Sequence, residues 1–251
     1  MTDDLFRADA YLKECSATVQ AIGAQGIALD RTVFYPLGGG QAGDTGVLRV
    51  QTGALAGQSL SIVDTRKGKD AEGRFTADIC HLPDASQTAE LAQLQPGDTV
   101  LACLDWTRRY RMMRLHTTTH LLCHLVPQLV NGCSITPDYA RLDFNMTEPL
   151  DKDTLSAGIA RLVAAAHPLV VGSITDAELD ANPTLVKSMS VQPPRGSGSV
   201  RTIRIGGGEP IDLQPCGGTH VANTAEIGAV VVTKIEKKSA TTRRIVLGFA
   251  A

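Results

Sequence analysis

Two short motifs, far apart in the sequence, contain residue types that bind metal ions. HTTTH places His116 and His120 four residues apart, a spacing that puts both imidazoles on one face of a helix, one turn apart. PCGGTH contributes Cys216 and His220, and its two glycines allow the tight turn that lets a thiolate and an imidazole converge. Three imidazoles and one thiolate suit zinc better than magnesium or calcium. The two motifs together therefore predict a zinc site.

The residues between the expected ligands exclude two familiar zinc chemistries. A zincin protease needs a glutamate in H-E-x-x-H, whereas Thr117, Thr118 and Thr119 separate the two histidines here. A nucleobase deaminase needs H-x-E and P-C-x-x-C, whereas Cys216 is followed by Gly-Gly-Thr-His. Two other interpretations stay open on these residues alone. One is a packed histidine pair with an inert cysteine, and the other is a purely structural, closed zinc site.

Composition indicates an ordinary globular protein. Hydrophobic residues make up 43% and charged residues 20% of the 251 residues, a length that suits one large domain or two modest ones. The formal net charge of −2 argues against indiscriminate polyanion binding, so any nucleic acid would be bound by local basic patches. Six scattered cysteines and a polar, acidic N-terminal segment without a signal peptide predict a cytoplasmic protein. No apolar run approaches the length of a membrane span.

The elements that must position the two motifs change in type near residue 105. Before it, short alternating segments separated by Gly and Asp predict the strands of a small β-barrel or sandwich. After it, TRRYRMMRLHTTTHLLCHLV predicts a helix that carries HTTTH, and DKDTLSAGIARLVAAAH predicts a second. Strands are expected again at PLVVGSI, SVRTIRI, AVVVTKIE and RRIVLGF. Segregated strands and helices predict an α+β protein, with a barrel-like domain over residues 1–105 and a second domain over 106–251.

A glycine-rich segment, FYPLGGGQAGDTG, contains a literal G-x-G-x-x-G at Gly38, Gly40 and Gly43. A dinucleotide-binding loop would need a helix directly after it, with its N-terminus facing the pyrophosphate. Here a turn around Asp44 and the strand-like VLRVQ follow instead. The segment is therefore not interpreted as a nucleotide-binding loop.

Four segments, in this order along the chain, resemble one known family: FYPLGGGQAGDTG, MRLHTTTHLL, ARLDFN and DLQPCGGTHVANTAEIG. They resemble the editing domain of alanyl-tRNA synthetases and, more closely, the medium form of the free-standing AlaX alanyl-tRNA editing proteins. The resemblance covers nearly the whole chain, and HxxxH with CGGTH is its most specific part. It implies an N-terminal barrel-like domain followed by an α+β editing domain that holds Zn²⁺. The expected zinc ligands are His116, His120, Cys216 and His220.

The resemblance also implies an activity and a substrate pocket. The activity is hydrolysis of the aminoacyl ester in mischarged Ser-tRNA(Ala) or Gly-tRNA(Ala), with the glycine-rich segment lying over the aminoacyl-adenosine. The expected substrate contacts are Gly39, Gly40, Gln41, Asp44, Thr117 and Thr119. The alternative is that Gln41 and Asp44 satisfy their own turn, and that the threonine hydroxyls bond the preceding helical turn. The sequence identifies no general base.

Three basic clusters flank the metal motifs and predict a path for tRNA phosphates. The expected tRNA contacts are Arg108, Arg109, Arg111, Arg114, Arg195, Arg201, Arg204, Lys234, Lys237, Lys238, Arg243 and Arg244. Two other functions remain open at this point. One is a zinc-stabilised module that binds tRNA without hydrolysis, and the other is a zinc hydrolase of small amino-acid esters.

Overall fold

The structure, a computed structural model, describes residues 1–193 and 198–250. It divides the chain into two compact units, Met1–Gly38 with Ala42–Arg109 and Gly39–Gln41 with Tyr110–Ala251. Strands predominate and a few helices interrupt them, so the expected mixture of α and β elements is confirmed. No helix within the described ranges is long and apolar enough to cross a membrane.

The first unit consists mainly of antiparallel strands. Its elements are β1 (Asp3–Asp4), β2 (Glu14–Gly23), β3 (Gly26–Leu29), β4 (Arg31–Thr32), β5 (Gly46–Val50), β6 (Ser59–Lys69), β7 (Phe75–Pro83), the short helix α1 (Thr88–Leu91) and β8 (Thr99–Leu104). Six of these strands close into a barrel in the order β2-β3-β7-β6-β5-β8. Every neighbouring pair in the barrel is antiparallel. The two remaining strands, β1 and β4, pair in parallel.

Alternating side chains fill the barrel interior. Along β8, Val100 and Ala102 are fully buried, whereas the side chains between them are only partly covered. Leu48 of β5 and Leu60 of β6 belong to the same apolar cluster. This period of two is what a strand with one face toward a core requires, and it explains why the strands were recognisable from the sequence.

A buried ion pair, Asp44 with Arg109, stabilises the first unit. Both side chains have no exposed surface, and the Arg109 guanidinium lies against the Asp44 carboxylate. The carboxylate also accepts a 2.6 Å hydrogen bond from the Tyr35 amide, and Arg109 donates to the carbonyl oxygens of Ala10 and Val33. Removing one partner of such a pair costs roughly 3–5 kcal/mol, because the other charge stays buried. Asp44, which was expected at the substrate, and Arg109, which was expected at tRNA, are thus both buried inside this unit.

His81 is the buried titratable group of the barrel. Its Nδ1 lies 3.0 Å from the Ile27 carbonyl oxygen and its Nε2 lies 2.8 Å from Thr32 Oγ1. A neutral ring satisfies both contacts, with Nδ1–H donating to the carbonyl and Nε2 accepting from the hydroxyl. Burial lowers the pKa of His81 from 6.5 to about 4. The folded protein therefore contains this histidine in its uncharged form at neutral pH.

We expect the free energy of unfolding to fall as the pH is lowered through the His81 window. The unfolded chain binds the His81 proton below pH 6.5 and the folded chain only below about pH 4, so protonation favours unfolding between these values. The loss amounts to about 3 kcal/mol over this range. Urea unfolding at pH 7, 5 and 4, followed by the fluorescence of Trp106 in the same unit, measures it. His81→Gln should flatten that pH dependence, whereas the control His124→Gln, at an exposed position, should retain it.

The second unit combines two antiparallel sheets with helices. Its elements are α2 (Trp106–Leu125, whose first residues belong to the first unit), β9 (Val130–Ile135), β10 (Tyr139–Asn145), α3 (Lys152–Ala164), β11 (Leu169–Ile174), α4 (Asp176–Ala181), β12 (Val200–Ile205), β13 (Asp212–Pro215), β14 (Val230–Ser239) and β15 (Thr242–Phe249). One sheet has the order β14-β15-β10-β9 and the other β11-β12-β13. Both long helices occur where the apolar period predicted them.

Local sequence explains where α3 begins and how it is held. Asp151 is its N-cap, and the carboxylate accepts a 2.7 Å hydrogen bond from the Thr154 amide. Leu155, Ile159 and Leu162 form the buried face, and the Ser156 hydroxyl accepts from the Val232 amide of β14. The helix therefore packs on the larger sheet through the side that its apolar residues define.

Candidate metal centre

The structure brings the four expected metal ligands together. The ligand atoms of His116 and His120 on α2, and of Cys216 and His220 after β13, all lie within 4.8 Å of one another. Cys216 Sγ is 3.5 Å from His116 Nε2 and 3.3 Å from His220 Nε2. The three imidazoles are buried. Residues separated by about a hundred positions in the sequence thus form one compact donor set.

Each imidazole of the cluster uses Nδ1 for a hydrogen bond to another side chain. The distances are 2.8 Å from His116 to Gln41 Oε1, 2.8 Å from His120 to Asp212 Oδ2, and 3.2 Å from His220 to Thr117 Oγ1. Such partners fix the orientation of a metal-binding imidazole and leave Nε2 for the ion. All three rings therefore have the orientation that a shared ion requires.

The loop that carries Cys216 can lie against α2 only because of a glycine. A Cβ on Gly218 would lie 2.1 Å from His116 Cε1, closer than any two such atoms can approach. Arg201 of β12 holds the same loop, since its Nη1 donates to the carbonyl oxygens of Cys216 (2.6 Å) and Gly218 (3.1 Å). The second glycine of CGGTH is thus a steric requirement of the cluster.

Part of the glycine-rich segment belongs to the same unit as the cluster. Gly40 has a φ of +86°, and a Cβ there would lie 3.0–3.1 Å from atoms of Cys133. Gln41 is fully buried. Besides its contact with His116, it accepts from the Thr219 amide at 3.2 Å and donates to Thr219 Oγ1 at 2.9 Å. The carboxamide thus links His116 of α2 to the metal-binding loop. Gly39, beside it, also has a positive φ of +58°.

The other expected substrate contacts have protein partners. Thr117 Oγ1 bonds His220 and accepts from the Val221 amide, and Thr119 Oγ1 donates to the His116 carbonyl oxygen at 2.7 Å. The Asp44 carboxylate lies in the first unit, paired with Arg109. Of these three side chains, only Thr117 and Thr119 lie beside the metal ligands, and the Thr119 hydroxyl retains lone pairs that can accept a further bond.

Cys216 and His120 are the charged pair of the cluster near neutral pH. Burial alone would raise the pKa of the Cys216 thiol, but His116 and His220 outweigh burial and hold that pKa well below its usual range. Burial opposes a charge on His120, yet the hydrogen bonds to Asp212 and Cys216 raise its pKa to about 10. Burial lowers the pKa of His220 to about 3. A cation that binds here must therefore displace the proton of His120.

The donor set fits zinc. Ligand distances of about 2.0–2.1 Å for nitrogen and 2.3 Å for sulfur place neighbouring donors of a tetrahedral ion about 3.3–3.6 Å apart. The two sulfur–nitrogen separations of 3.5 and 3.3 Å agree with this spacing. A thiolate with three imidazoles is also a ligand combination that magnesium and calcium avoid. The four residues can therefore hold a zinc-like ion.

Asp212 is a functional candidate that the sequence analysis missed. Its side chain is fully buried, with Oδ2 accepting from His120 Nδ1 and from Gln214 Nε2, each at 2.8 Å. Lys187 Nζ lies 3.5 Å from the other carboxylate oxygen. The available signal was its position in DLQPCGGTH, four residues before the cysteine ligand. A single acid near a ligand motif is too common to be singled out without the β13 geometry.

We expect Asp212→Asn to weaken metal binding by about 10–100-fold, the usual cost of losing an outer partner of a metal-binding histidine. The amide keeps the shape but cannot accept from His120 and Gln214 as a carboxylate does. Competition with a chromophoric chelator measures the affinity, and the d–d spectrum of the Co²⁺-loaded protein reports the ligand field. Asp138→Asn, at an 84% exposed side chain, is the matched control. Wild-type affinity in Asp212→Asn would refute the positioning role.

Most of the arginines expected at tRNA have partners within the protein. Arg109 and Arg243 are buried, and a buried guanidinium is not available to a ligand outside. The half-buried arginines each bond a carbonyl oxygen or a carboxylate: Arg108, Arg111, Arg114, Arg201, Arg204 and Arg244. Lys234, Lys237 and Lys238 are exposed on β14. Arg195 lies outside the described residues.

A comparison with protein-family models identifies the class of protein to which the chain belongs. Residues 200–246, which include Cys216 and His220, match the family model described as the threonyl and alanyl tRNA synthetase second additional domain. Together with the metal cluster, this match puts the chain among proteins that carry this synthetase-associated domain.

Full-length relatives then define the family. The chain is 34% identical to the alanyl-tRNA editing protein AlaX-M of Methanosarcina barkeri, over 98% of both chains. It is equally similar, over the same shares, to AlaX-M of Saccharolobus solfataricus. The alanine–tRNA ligase of Sulfurisphaera tokodaii is 33% identical over 94% of this chain and 25% of the ligase. The chain belongs to the AlaX-M family of alanyl-tRNA editing proteins, and the resemblance found in the sequence is confirmed.

Proposed function

We propose that this protein is a trans-editing hydrolase that deacylates Ser-tRNA(Ala), and also Gly-tRNA(Ala), by cleaving the ester between the amino acid and the ribose. The observation that carries the proposal is the convergence of His116, His120, Cys216 and His220, with every imidazole Nε2 left for one ion. Family membership supplies the substrate class, since the curated relatives are named alanyl-tRNA editing proteins.

Zinc is the proposed cofactor, and as a Lewis acid it supplies polarisation of an ester carbonyl. The residues around the site orient its ligands. Asp212 and Thr117 orient two of the imidazoles. We assign Gln41 a role through His116 rather than through direct contact with the substrate, because its carboxamide oxygen already accepts from His116 Nδ1 and from the Thr219 amide. Gly39 and Gly40 allow close approach of a ligand to the backbone.

An aminoacyl ester is already activated, so positioning of water and stabilisation of the developing oxyanion suffice for its hydrolysis. We propose that residues 106–251 form the editing domain and that residues 1–105 contribute to substrate selection. The tRNA acceptor stem would contact the exposed Lys234, Lys237 and Lys238, together with the half-buried arginines and Arg195. Arg109 and Arg243 are left out because they are buried.

A deacylation assay on Ser-tRNA(Ala), with and without chelator, tests this function. We expect the ester to be hydrolysed, the activity to be lost with the metal, and zinc to restore it. The four-ligand cluster also favours a second function, a zinc-stabilised module that binds tRNA without hydrolysis, because closed four-ligand sites are usually structural. Tight binding of tRNA without turnover would support that binding module. Equal turnover of a serine methyl ester and of the charged tRNA would indicate a hydrolase of small esters.

A further inference from the structure

The hairpin formed by β6 and β7 presents an exposed aromatic ring near two lysines. Phe75 is 69% exposed and pairs with Lys69 across the hairpin. Lys69 Nζ lies 5.3 Å from the centre of the ring and Lys67 Nζ lies 5.9 Å from it. We call these three side chains the Phe75 surface. Its components, an uncovered ring and two ammonium groups, have no role in the barrel core or in the metal centre.

The charge of this surface comes from its lysines. Two neighbouring arginines are neutralised locally, since Arg66 bonds Asp64 at 2.7 Å and Arg74 bonds Asp70 at 2.8 Å. Within the part of the chain that the structure describes, neither Lys67 nor Lys69 has an ion-pair partner. Two lysine charges without an ion-pair partner among the described residues therefore lie near the ring.

Hydrogen bonds hold the backbone of the hairpin that carries the Phe75 surface. Gln25 bonds the backbone of Lys69 twice, donating to its carbonyl oxygen and accepting from its amide, each at 2.8 Å. At the turn, Asp70 Oδ1 accepts from the amides of Glu72 and Arg74. Because this backbone is already ordered, only the side chains lose conformational entropy when the surface binds a partner.

We propose that the Phe75 surface binds tRNA, with an unpaired base stacked on the Phe75 ring and backbone phosphates at Lys69 and Lys67. Proteins that bind single-stranded nucleic acid combine such aromatic platforms with positive charge. The two lysines favour a nucleic acid over a protein partner, since the exposed Glu72 of the same hairpin is paired with Arg74. Lys67 also borders a cavity of about 590 Å³ that Asp78 lines, so Lys69 is the stronger phosphate contact. This inference rests on the proposed function, which supplies the tRNA.

Binding of tRNA(Ala) by wild-type and variant full-length proteins, measured by fluorescence anisotropy at several salt concentrations, tests the surface. Phe75→Ala should raise the Kd about 10-fold, the scale of one lost base stack, and Phe75→Trp should restore wild-type binding. Lys67→Gln with Lys69→Gln should lower the slope of log K against log salt by about one per lost phosphate contact. The control is Val63→Ala, at a 50% exposed apolar residue of β6, the strand that carries the two lysines. This variant should bind tRNA as the wild type does.

Three outcomes would overturn the Phe75 surface: wild-type Kd in Phe75→Ala, equal weakening by Phe75→Ala and Phe75→Trp, or capture of a protein by this hairpin with tRNA binding unchanged. None of them touches the proposed function, because deacylation by the wild-type protein is measured separately. Conversely, a wild-type protein that binds tRNA through Phe75 and never hydrolyses Ser-tRNA(Ala) would refute the editing function and leave the surface intact.

Discussion

Cys216→Ala and His116→Ala are each expected to lose the bound metal and the deacylation of Ser-tRNA(Ala) together. Both residues donate an atom to the cluster, and the cost of losing a ligand should exceed the 10–100-fold cost of losing an outer partner, so we expect a loss of more than about 100-fold in metal affinity. Metal content by mass spectrometry and the deacylation rate of the same preparations measure both effects.

His124→Ala is the matched control for these variants. His124 lies on α2 as His116 does, but it is exposed and is not part of the cluster. Its replacement should leave metal content and rate unchanged. A metal-free wild-type preparation that deacylates at the full rate would contradict the proposed dependence on the ion.

The second large effect concerns the choice between serine and alanine. Alanine fits wherever serine does, so exclusion by size cannot protect correctly charged Ala-tRNA(Ala). Discrimination must come from polar groups that pair with the serine hydroxyl and are left unpaired by alanine, and such groups can discriminate by factors on the order of 10⁴. We expect the wild-type protein to hydrolyse Ser-tRNA(Ala) faster than Ala-tRNA(Ala) by about this factor. Single-turnover rates on the two substrates measure it.

The structure decides which threonine can be tested. Thr117 is unsuitable, because its hydroxyl orients the ligand His220. Thr119→Val keeps the shape of a side chain beside the ligands and removes a hydroxyl that can still accept, so it should shrink the ratio of the two rates. Thr118→Val is the control, because its hydroxyl bonds the preceding turn at Arg114 O as that of Thr119 does at His116 O, but position 118 lies on the opposite side of α2 from His116 and His120. Equal wild-type rates on the two substrates would refute serine editing.

Features that depend on near neighbours along the chain could be predicted from the sequence. The spacing in HTTTH puts two imidazoles on one helical face, and α2 has that geometry because its apolar period continues without Gly or Pro. The alternation of β8 and the N-cap of α3 are local in the same sense. The ligand set could also be predicted from the sequence, since a cysteine and histidines in such motifs are typical of metal sites.

The role of each remaining polar residue depends on contacts between distant parts of the chain. Gln41 and His116 are 75 positions apart and Asp212 and His120 are 92 apart, so no local pattern could pair them. Arg109 looked like its basic neighbours in the sequence, yet it is buried against Asp44. The local sequence around a charged or amide side chain looks the same whether that side chain faces solvent, a phosphate or a buried partner. Its role depends on which distant groups the fold brings within hydrogen-bond distance, and that is a property of the packed chain.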